Sequence, residues 1–283
     1  MASATCSRDA LEGGDMTVLQ RDGVRLAYVD EGTGEPAFVF MHGWTCNRSY
    51  FKPQHDHFKA RHRVVSVDLR GHGESDKPKG PYPIRQYADD VAWLIGKLGL
   101  DRPVALGHSM GGVTALELAA EHPQSVRAIV MVDPAPFLWS PDFISLLTNM
   151  ADSADAGNQQ PRRDFVNMLF LPTSPVDLKE RIVDEMCSAP AHVAADAMRG
   201  LLSYDGVAVA KKVSLPALHI AATPPLNPPH MMAEWLPHAV NGWTVGAGHF
   251  NMLEAPNQVN DMIERFVDQY VMRPQPAAAA SGG

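Results

Sequence analysis

The residue best placed for chemistry is a serine inside a glycine-rich turn. Ser109 lies in GHSMGG, which follows the apolar run VAL and precedes a helical pattern. A serine becomes an effective nucleophile when a sharp strand-to-helix turn pushes its hydroxyl away from the backbone. Gly107 and Gly111, two residues on either side, would relieve the crowding in such a turn. The segment predicts a nucleophilic Ser109, and the simpler alternative is a turn serine that caps the following helix.

A nucleophilic serine needs a general base, and the histidine in the right position is His249. It lies in GAGHF, 140 residues after Ser109 and just before the C-terminal helical pattern. That position fits the chain order serine, acid, histidine. The sequence contains 12 histidines, so position rather than residue type carries this prediction. Glu254, five residues later, is expected to hold the loop rather than to act as the acid.

The acid that orients the imidazole is predicted to be Asp133. The stretch LHIAATPPLNPPHMMAEWL (218–236) contains no Asp, and its single acidic residue, Glu234, lies in a helical pattern. Asn227 in the same stretch cannot carry the negative charge that stabilises an imidazolium. Asp133 closes the run AIVMV, at the carboxyl end of a predicted strand, where ligands bind in open α/β sheets. The alternative is an Asp that only stabilises the turn before Pro134.

Two backbone amides are candidates for binding the oxyanion of an acyl-transfer reaction. The motif HGW follows the run FVFM, and its Trp44 would supply one N–H. Met110, the residue after the nucleophile, would supply the other. The alternative for HGW is a glycine turn with a tryptophan in the core. A further motif, DLRGHGES, is predicted to have no direct role in the reaction, since Asp68 and His72 are expected to brace a loop.

The elements that must position these residues form an α/β pattern. Short apolar runs alternate with helical patterns, which predicts a mostly parallel sheet covered on both faces. The segments 16–20 and 24–29 flank Asp22-Gly23, a hairpin signal. A helix is predicted over 84–98, and the C-terminal helix is expected to begin at Asn257 as its N-cap. The apolar runs are FVFM (38–41), VVSV (64–67), VALG (104–107), AIVMV (128–132) and LHIA (218–221).

The chain of 283 residues suits one large α/β domain with an insertion. Residues 16–137 and 213–273 are predicted to form the core. Residues 138–212 contain helical patterns punctuated by prolines and no convincing strand, which predicts a helical insertion. Both ends, 1–15 and 274–283, are expected to be disordered tails.

Composition excludes several classes of function. The net charge is −8 with no long basic run, which argues against a nucleic-acid partner. Cys6, Cys46 and Cys187 are too few for a disulfide framework or a zinc site, which favours a reducing compartment. No signal sequence and no run of 18 apolar residues is present, so we expect a cytoplasmic protein with no membrane partner. The proposed chemistry requires neither a metal ion nor an organic cofactor, and the oligomeric state is not encoded in these patterns.

In this order, HGW, DLRGHGES, GHSMGG and GAGHFNMLEAP resemble the α/β-hydrolase fold superfamily. The resemblance covers nearly all of 17–272 outside the insertion, which would be the variable cap of that superfamily. It implies serine-based catalysis on a mostly parallel sheet with helices on both faces. Most relatives carry the acid after the strand that follows the cap; an acid at Asp133 resembles pancreatic-type lipases. A serine at position 109 argues against the dehalogenases and epoxide hydrolases, which use an Asp there.

The resemblance and the residues together predict a serine hydrolase. Its substrate would be a carboxylic ester or lactone of small to medium size and hydrophobic character, cleaved through an acyl-enzyme on Ser109. Three alternatives stay open: a cofactor-independent dioxygenase, suggested by the acid position and His108; a C–C bond hydrolase of aromatic catabolism; and a catalytically inactive ligand-binding homologue. The apolar residues that could line the pocket are Phe137, Leu138, Trp139, Phe143, Leu147, Met150, Phe165, Met168 and Leu169.

Overall fold

The computed structural model describes residues 15–273. The expected tails, apart from Asp15, and Cys6 therefore lie outside the described residues. Within the described part, no helix is both long and apolar enough to cross a bilayer.

One sheet of eight strands organises the described chain, in the order β1-β2-β4-β3-β5-β6-β7-β8. β2 runs antiparallel to both of its neighbours, and every other neighbouring pair is parallel. The predicted hairpin and all five predicted apolar runs are confirmed as strands. The strands are β1 (Thr17–Arg21), β2 (Val24–Glu31), β3 (Phe38–Met41), β4 (Val64–Val67), β5 (Val104–His108), β6 (Ala128–Val132), β7 (Ala217–Ala221) and β8 (Val240–Trp243).

The burial of each strand explains whether an apolar run in the sequence predicts it. Every residue of β3, β4, β5, β6 and β7 is buried, because helices cover both faces of the sheet. Such strands are near-continuous apolar runs. β8 forms the sheet edge, and its residues VNGW are half-buried or exposed. It therefore lacks the apolar run that predicts the other strands.

Helices flank the sheet, and five of them lie together between β6 and β7. Those five, α4–α8, fall within the predicted insertion, which contains no strand. The helices are α1 (Lys52–Phe58), α2 (Ile84–Lys97), α3 (Met110–Glu121), α4 (Pro141–Asp155), α5 (Gln160–Met168), α6 (Val176–Ser188), α7 (Ala191–Leu202), α8 (Gly206–Ala210), α9 (Pro229–Trp235), α10 (Asn251–Glu254) and α11 (Pro256–Phe266). A short 3₁₀ turn (Arg48–Phe51) precedes α1, and a π-helical turn (Val267–Val271) follows α11.

The predicted start of the C-terminal helix is wrong by two residues. α11 begins at Pro256, and the N-cap position is held by Ala255, whose side chain makes no capping hydrogen bond. Asn257 therefore lies inside the first turn. Proline suits the first helical position because its φ is already helical and its missing N–H would have no helical partner.

Two close contacts join the insertion to the core. The indole N–H of Trp44, just after β3, donates a 2.9 Å hydrogen bond to the carbonyl of Ala194 in α7. Further along α7, Gly200 lies so close to the core that a Cβ there would overlap the carbonyl oxygen of Tyr82. A helix without a side chain at that point can approach the loop before α2, so α7 holds the insertion against the sheet.

Two helical glycines should therefore respond oppositely to alanine. Gly96 in α2 is exposed, and a methyl group added to it would have no neighbouring atom within 4 Å. Gly96→Ala should raise the free energy of unfolding by about 0.5–1 kcal/mol, because alanine loses less backbone entropy in a helix. Gly200→Ala should lower it by at least about 1 kcal/mol through overpacking. Urea unfolding of both variants measures this, and equal signs would contradict the packing described for α7.

Candidate active site

Ser109 lies between β5 and α3 in a backbone conformation that side chains rarely adopt. Its φ of 52° and ψ of −115° lie outside the helical and extended regions. Ser109 N–H donates to the carbonyl of Val132 at 3.2 Å, which ties the turn to β6. Its side chain makes no capping bond at the start of α3. The hydroxyl is therefore not used as a helix cap, the simpler interpretation of this motif.

The flanking glycines are required by close backbone approach, as expected. A Cβ on Gly107 would overlap the carbonyl oxygen of Gly111, and one on Gly111 would overlap the carbonyl oxygen of Met41. A Cβ on Gly112 would lie 2.8 Å from Cβ of Pro134. Only glycine leaves α3 close enough to the ends of β3 and β6 for Ser109 to sit between them.

The structure brings Asp133 and His249 into direct contact. The imidazole Nδ1 and the carboxylate Oδ2 are 2.7 Å apart, and both side chains are buried. The other carboxylate oxygen, Oδ1, accepts backbone N–H groups of Ala222 at 3.1 Å and Leu226 at 3.4 Å. Because a carboxylate only accepts, His249 carries a proton on Nδ1, and the neutral form of the imidazole then has a free lone pair on Nε2.

The stretch after β7, which contains no Asp, supports the carboxylate at the end of β6. Two backbone amides of this stretch reach Asp133, and the side chain of the buried Asn227 binds the segment that follows Asp133. Asn227 Oδ1 accepts the N–H of Phe137 at 2.8 Å, and its Nδ2 donates to the carbonyl of Pro134 at 2.9 Å. Glu234 is exposed on α9. No sequence pattern indicates this role for Asn227, because an asparagine between prolines is equally compatible with an exposed turn.

The loop that carries His249 is fixed to the insertion. His249 N–H donates to the carbonyl of Leu169 at 3.1 Å. Glu254 accepts the N–H of Gly248 at 3.2 Å and the hydroxyl of Ser174 at 2.5 Å. The prediction that Glu254 holds the loop is confirmed. The insertion therefore positions the imidazole as well as covering it.

Ser109 and His249 line the same pocket, but among residues 15–273 no hydrogen bond joins the Ser109 hydroxyl to the imidazole. Contacts of this kind are often long without substrate and shorten in the reacting complex. The geometry thus brings Asp133 and His249 into direct contact and places Ser109 at the same cavity as His249.

The two amides predicted to bind an oxyanion are available. Within the described chain, the N–H groups of Trp44 and Met110 donate to no protein acceptor. Met110 is the first residue of α3, where helical N–H groups have no partner within the helix. Thr45, with a φ of 53°, turns the chain directly after Trp44.

Three buried histidines around the turn are held neutral. Leu69 N–H donates to His42 Nε2 at 3.0 Å, so His42 Nδ1–H donates to the carbonyl of Gly43 at 2.8 Å. Burial lowers the pKa of His42 to about 4 and that of His72 to about 3. Burial also lowers the pKa of His108 well below its usual value.

The DLRGHGES motif braces the loop after β4, as predicted. Asp68 accepts the backbone N–H of Arg48 at 2.7 Å and that of Glu74 at 2.8 Å. His72 Nδ1 lies 2.9 Å from the carbonyl oxygen of Arg70. These bonds hold the loop against His42 and so against the segment that carries Trp44.

A pocket with a mainly apolar lining lies between the core and the insertion. Four of the nine apolar residues named from the sequence line it; Phe137, Leu147 and Met150 are buried elsewhere, while Leu138 and Met168 are exposed. No group of three or more His, Cys, Asp or Glu within 15–273 is arranged to hold a metal ion. The lining residues are Gly43, Trp44, Cys46, His108, Ser109, Ala135, Pro136, Trp139, Phe143, Phe165, Leu169, Met186, Met198, Leu201, Leu226, His249 and Phe250.

Comparison with known proteins agrees with this architecture. A family model described as alpha/beta hydrolase fold matches residues 36–173. A 2-(acetamidomethylene)succinate hydrolase from Mesorhizobium japonicum is 38% identical over 115 residues, and the match spans 41% of each chain. An esterase from Thermogutta terrifontis has a TM-score of 0.80 and 26% identity, covering 90% of this chain and 97% of that one. An enol-lactonase from Burkholderia xenovorans has a TM-score of 0.77 and 24% identity, covering 89% and 100%, which is evidence of the fold alone.

The strained turn predicts an inverted order of stability at position 109. Glycine normally destabilises a protein relative to alanine by about 0.5–1 kcal/mol. At φ 52°, ψ −115°, however, a Cβ costs about 1–3 kcal/mol. Ser109→Gly should therefore unfold at higher urea than Ser109→Ala, although both variants lack the hydroxyl. If Ser109→Ala proved the more stable, the strain at this turn would be refuted.

The neutral histidines predict a loss of stability in mild acid. Between pH 6.5 and about 4, His42 in the unfolded chain binds a proton that the folded chain does not. The free energy of unfolding should therefore be fully present above pH 6.5 and fall as the pH decreases through this window. His42→Gln should reduce the pH slope by about one proton, or about 1.4 kcal/mol per pH unit.

The matched control is His230→Gln, because His230 is exposed at the start of α9. Urea unfolding from pH 7 to pH 4.5 measures both slopes. An unchanged slope in His42→Gln would show that His42 is not the group that resists protonation.

Proposed function

The chain belongs to the α/β-hydrolase fold superfamily, and on that basis we propose that it is a serine hydrolase. Its substrate would be a carboxylic ester or lactone of a small to medium hydrophobic molecule, and helices 138–212 would form the cap over it. The observation that carries the proposal is the 2.7 Å contact between Asp133 and His249 at the pocket that Ser109 lines.

The first half of the proposed reaction forms an ester on the enzyme. Ser109 Oγ attacks the substrate carbonyl carbon while its proton moves to the free Nε2 of His249. Asp133 holds the Nδ1 proton and stabilises the imidazolium that results. The carbonyl oxygen becomes an oxyanion, which the amides of Trp44 and Met110 stabilise. When the tetrahedral intermediate collapses, Nε2 gives its proton to the leaving alcohol.

The second half of the reaction releases the acid. A water molecule gives a proton to Nε2 of His249 and attacks the acyl carbon. The second tetrahedral intermediate then collapses, the proton returns to Ser109 Oγ, and the carboxylic acid leaves. The atoms balance with water as the single co-reactant, so the residues at the pocket suffice for the reaction.

Among the alternatives, the cofactor-independent dioxygenase is not favoured by the surroundings of His108. Its Nε2 lies 2.9 Å from the carbonyl of His249, which can only accept, so Nε2 is protonated and already engaged. Burial holds the ring neutral by lowering its pKa. The other nitrogen, Nδ1, is buried without a partner in the described chain, and the lowered pKa makes it a weak base towards a substrate hydroxyl. A C–C bond hydrolase remains the second candidate, since the pocket has an aromatic lining that suits such substrates.

A fluorophosphonate probe separates the hydrolase from an inactive homologue. Such probes react with a serine whose hydroxyl is activated by a base. We expect labelling of the wild-type protein at Ser109 and none of Ser109→Ala. If the wild-type chain is unlabelled, the proposal fails and the ligand-binding alternative stands.

Replacing the acid should cost most of the activity without loss of the fold. Asp133→Asn removes the charge that orients and stabilises the imidazole, and kcat for short p-nitrophenyl esters should fall by about 10⁴. Glu234→Gln is the matched control and should keep full activity, because Glu234 is exposed on α9. Full activity in Asp133→Asn together with its loss in Glu234→Gln would refute the assignment of the acid.

A further inference from the structure

We infer that the pocket selects an uncharged ester with an aromatic group, and that Trp139 donates a hydrogen bond to an acceptor oxygen of that substrate. This inference rests on the proposed function and adds a substrate class to it. Three independent features carry it: the absence of charged side chains from the lining, a continuous wall of aromatic rings, and a buried indole N–H without a partner.

The lining offers a substrate no charge partner. None of the described residues that line the pocket is Lys, Arg, Asp or Glu. Besides His249, the ionisable groups are Cys46 and His108, and burial keeps both neutral by raising the pKa of the thiol and lowering that of the imidazole. An ionised carboxylate that leaves water for such a pocket loses its hydration and gains no counter-charge. Charged esters should therefore be poor substrates.

The same feature separates this pocket from the activity that the Mesorhizobium relative is named for. A succinate derivative carries carboxyl groups, and their recognition requires cationic or multiple donor groups. The insertion contains a buried cation, Arg162 of α5, but this residue does not line the pocket. It donates to the carbonyls of Ala189 and Cys187, each at 3.0 Å, at the end of α6. That cation stabilises the insertion rather than a ligand.

Four rings form a continuous wall from the oxyanion segment into the cap. Trp44 contacts Phe165 with ring centroids 6.0 Å apart, and Phe165 contacts Phe143 at 6.3 Å, both edge to face. Phe143 in turn stacks on Trp139 at 5.9 Å. Rings at these separations attract one another through offset and edge-to-face arrangements. A flat aromatic group of the substrate can extend this series, with its ester carbonyl beside Trp44.

Trp139 supplies the single unmatched donor on this wall. Its Nε1 is buried and has no hydrogen-bond acceptor within the described chain. The indole of Trp44, at the other end of the wall, has one in Ala194. A buried donor without an acceptor is unfavourable, and a ligand oxygen that accepts from it after a rotation of the indole towards the cavity removes that cost. An ether or carbonyl oxygen on the aromatic part of the substrate meets this requirement without adding charge.

The test uses ethyl esters, whose shared leaving group has no ring, and they differ in the acid; hydrolysis is followed by acid release at constant pH. The acids are acetic acid, 3-phenylpropanoic acid, its 4-methoxy, 4-acetyl and 4-carboxy derivatives, and phenoxyacetic acid. For the wild-type enzyme, kcat/KM for 3-phenylpropanoate should exceed that for the 4-carboxy derivative by at least about 100-fold. Equal or reversed preference would overturn the charge selection.

Trp139→Phe tests the hydrogen bond. It should lower kcat/KM for the best ester that carries an extra oxygen about 3- to 10-fold more than it lowers kcat/KM for 3-phenylpropanoate. Trp243→Phe is the matched control, because Trp243 is 55% exposed on β8. A uniform decrease across the series, or none at all, would overturn the role of Trp139.

The acetate ester and the fluorophosphonate label distinguish the substrate class from the proposed function. If acetate is hydrolysed and Ser109 is labelled but the selectivity pattern is absent, the substrate class is wrong and the proposed function stands. If neither acetate hydrolysis nor labelling occurs, both are wrong. If Trp139→Phe does not fold, the wild-type ratio between the 4-carboxy and parent esters still decides the charge selection.

Discussion

The contact between Asp133 and His249 is the constraint on which the arrangement of the site depends. A carboxylate at the end of β6 must reach an imidazole that follows β8, and β7 lies between the two strands. The loop after β7 therefore wraps around the carboxylate and donates two backbone N–H groups to it. Asn227 then holds the chain that leaves Asp133. The loop after β7 contains no Asp, and it stabilises the carboxylate of Asp133 at the end of the neighbouring strand, β6.

The insertion and the core both position the residues of the candidate site. The core supplies the strained turn at Ser109 and the neutral histidines behind it. The insertion holds the backbone of His249 through Leu169 and accepts the indole N–H of Trp44 through Ala194. Displacement of these helices would therefore disturb the imidazole and the oxyanion segment together. The same contacts therefore shape the pocket and position the side chains of the candidate site.

Much of the fold could be predicted from the sequence because buried parallel strands are nearly continuous apolar runs. The edge strand β8 has no such run, and the prediction of Asn257 as a helix start fails because Pro256 already begins the helix. Motif order indicates Ser109 and His249, and the absence of an Asp from 218–236 indicates Asp133; their catalytic roles stay predictions. The support by Asn227 and the unpaired indole of Trp139 depend on contacts between distant segments, which no local pattern encodes.

The proton between His249 and Asp133 can be observed directly by NMR. A protein labelled with ¹⁵N at histidine should show a strongly downfield proton bound to Nδ1 of His249, because a buried carboxylate accepts it. That signal should vanish in Asp133→Ala and persist in Glu234→Gln. A signal that survives in Asp133→Ala, or that is lost when Glu254 is replaced by Gln and not when Asp133 is replaced, would contradict the account.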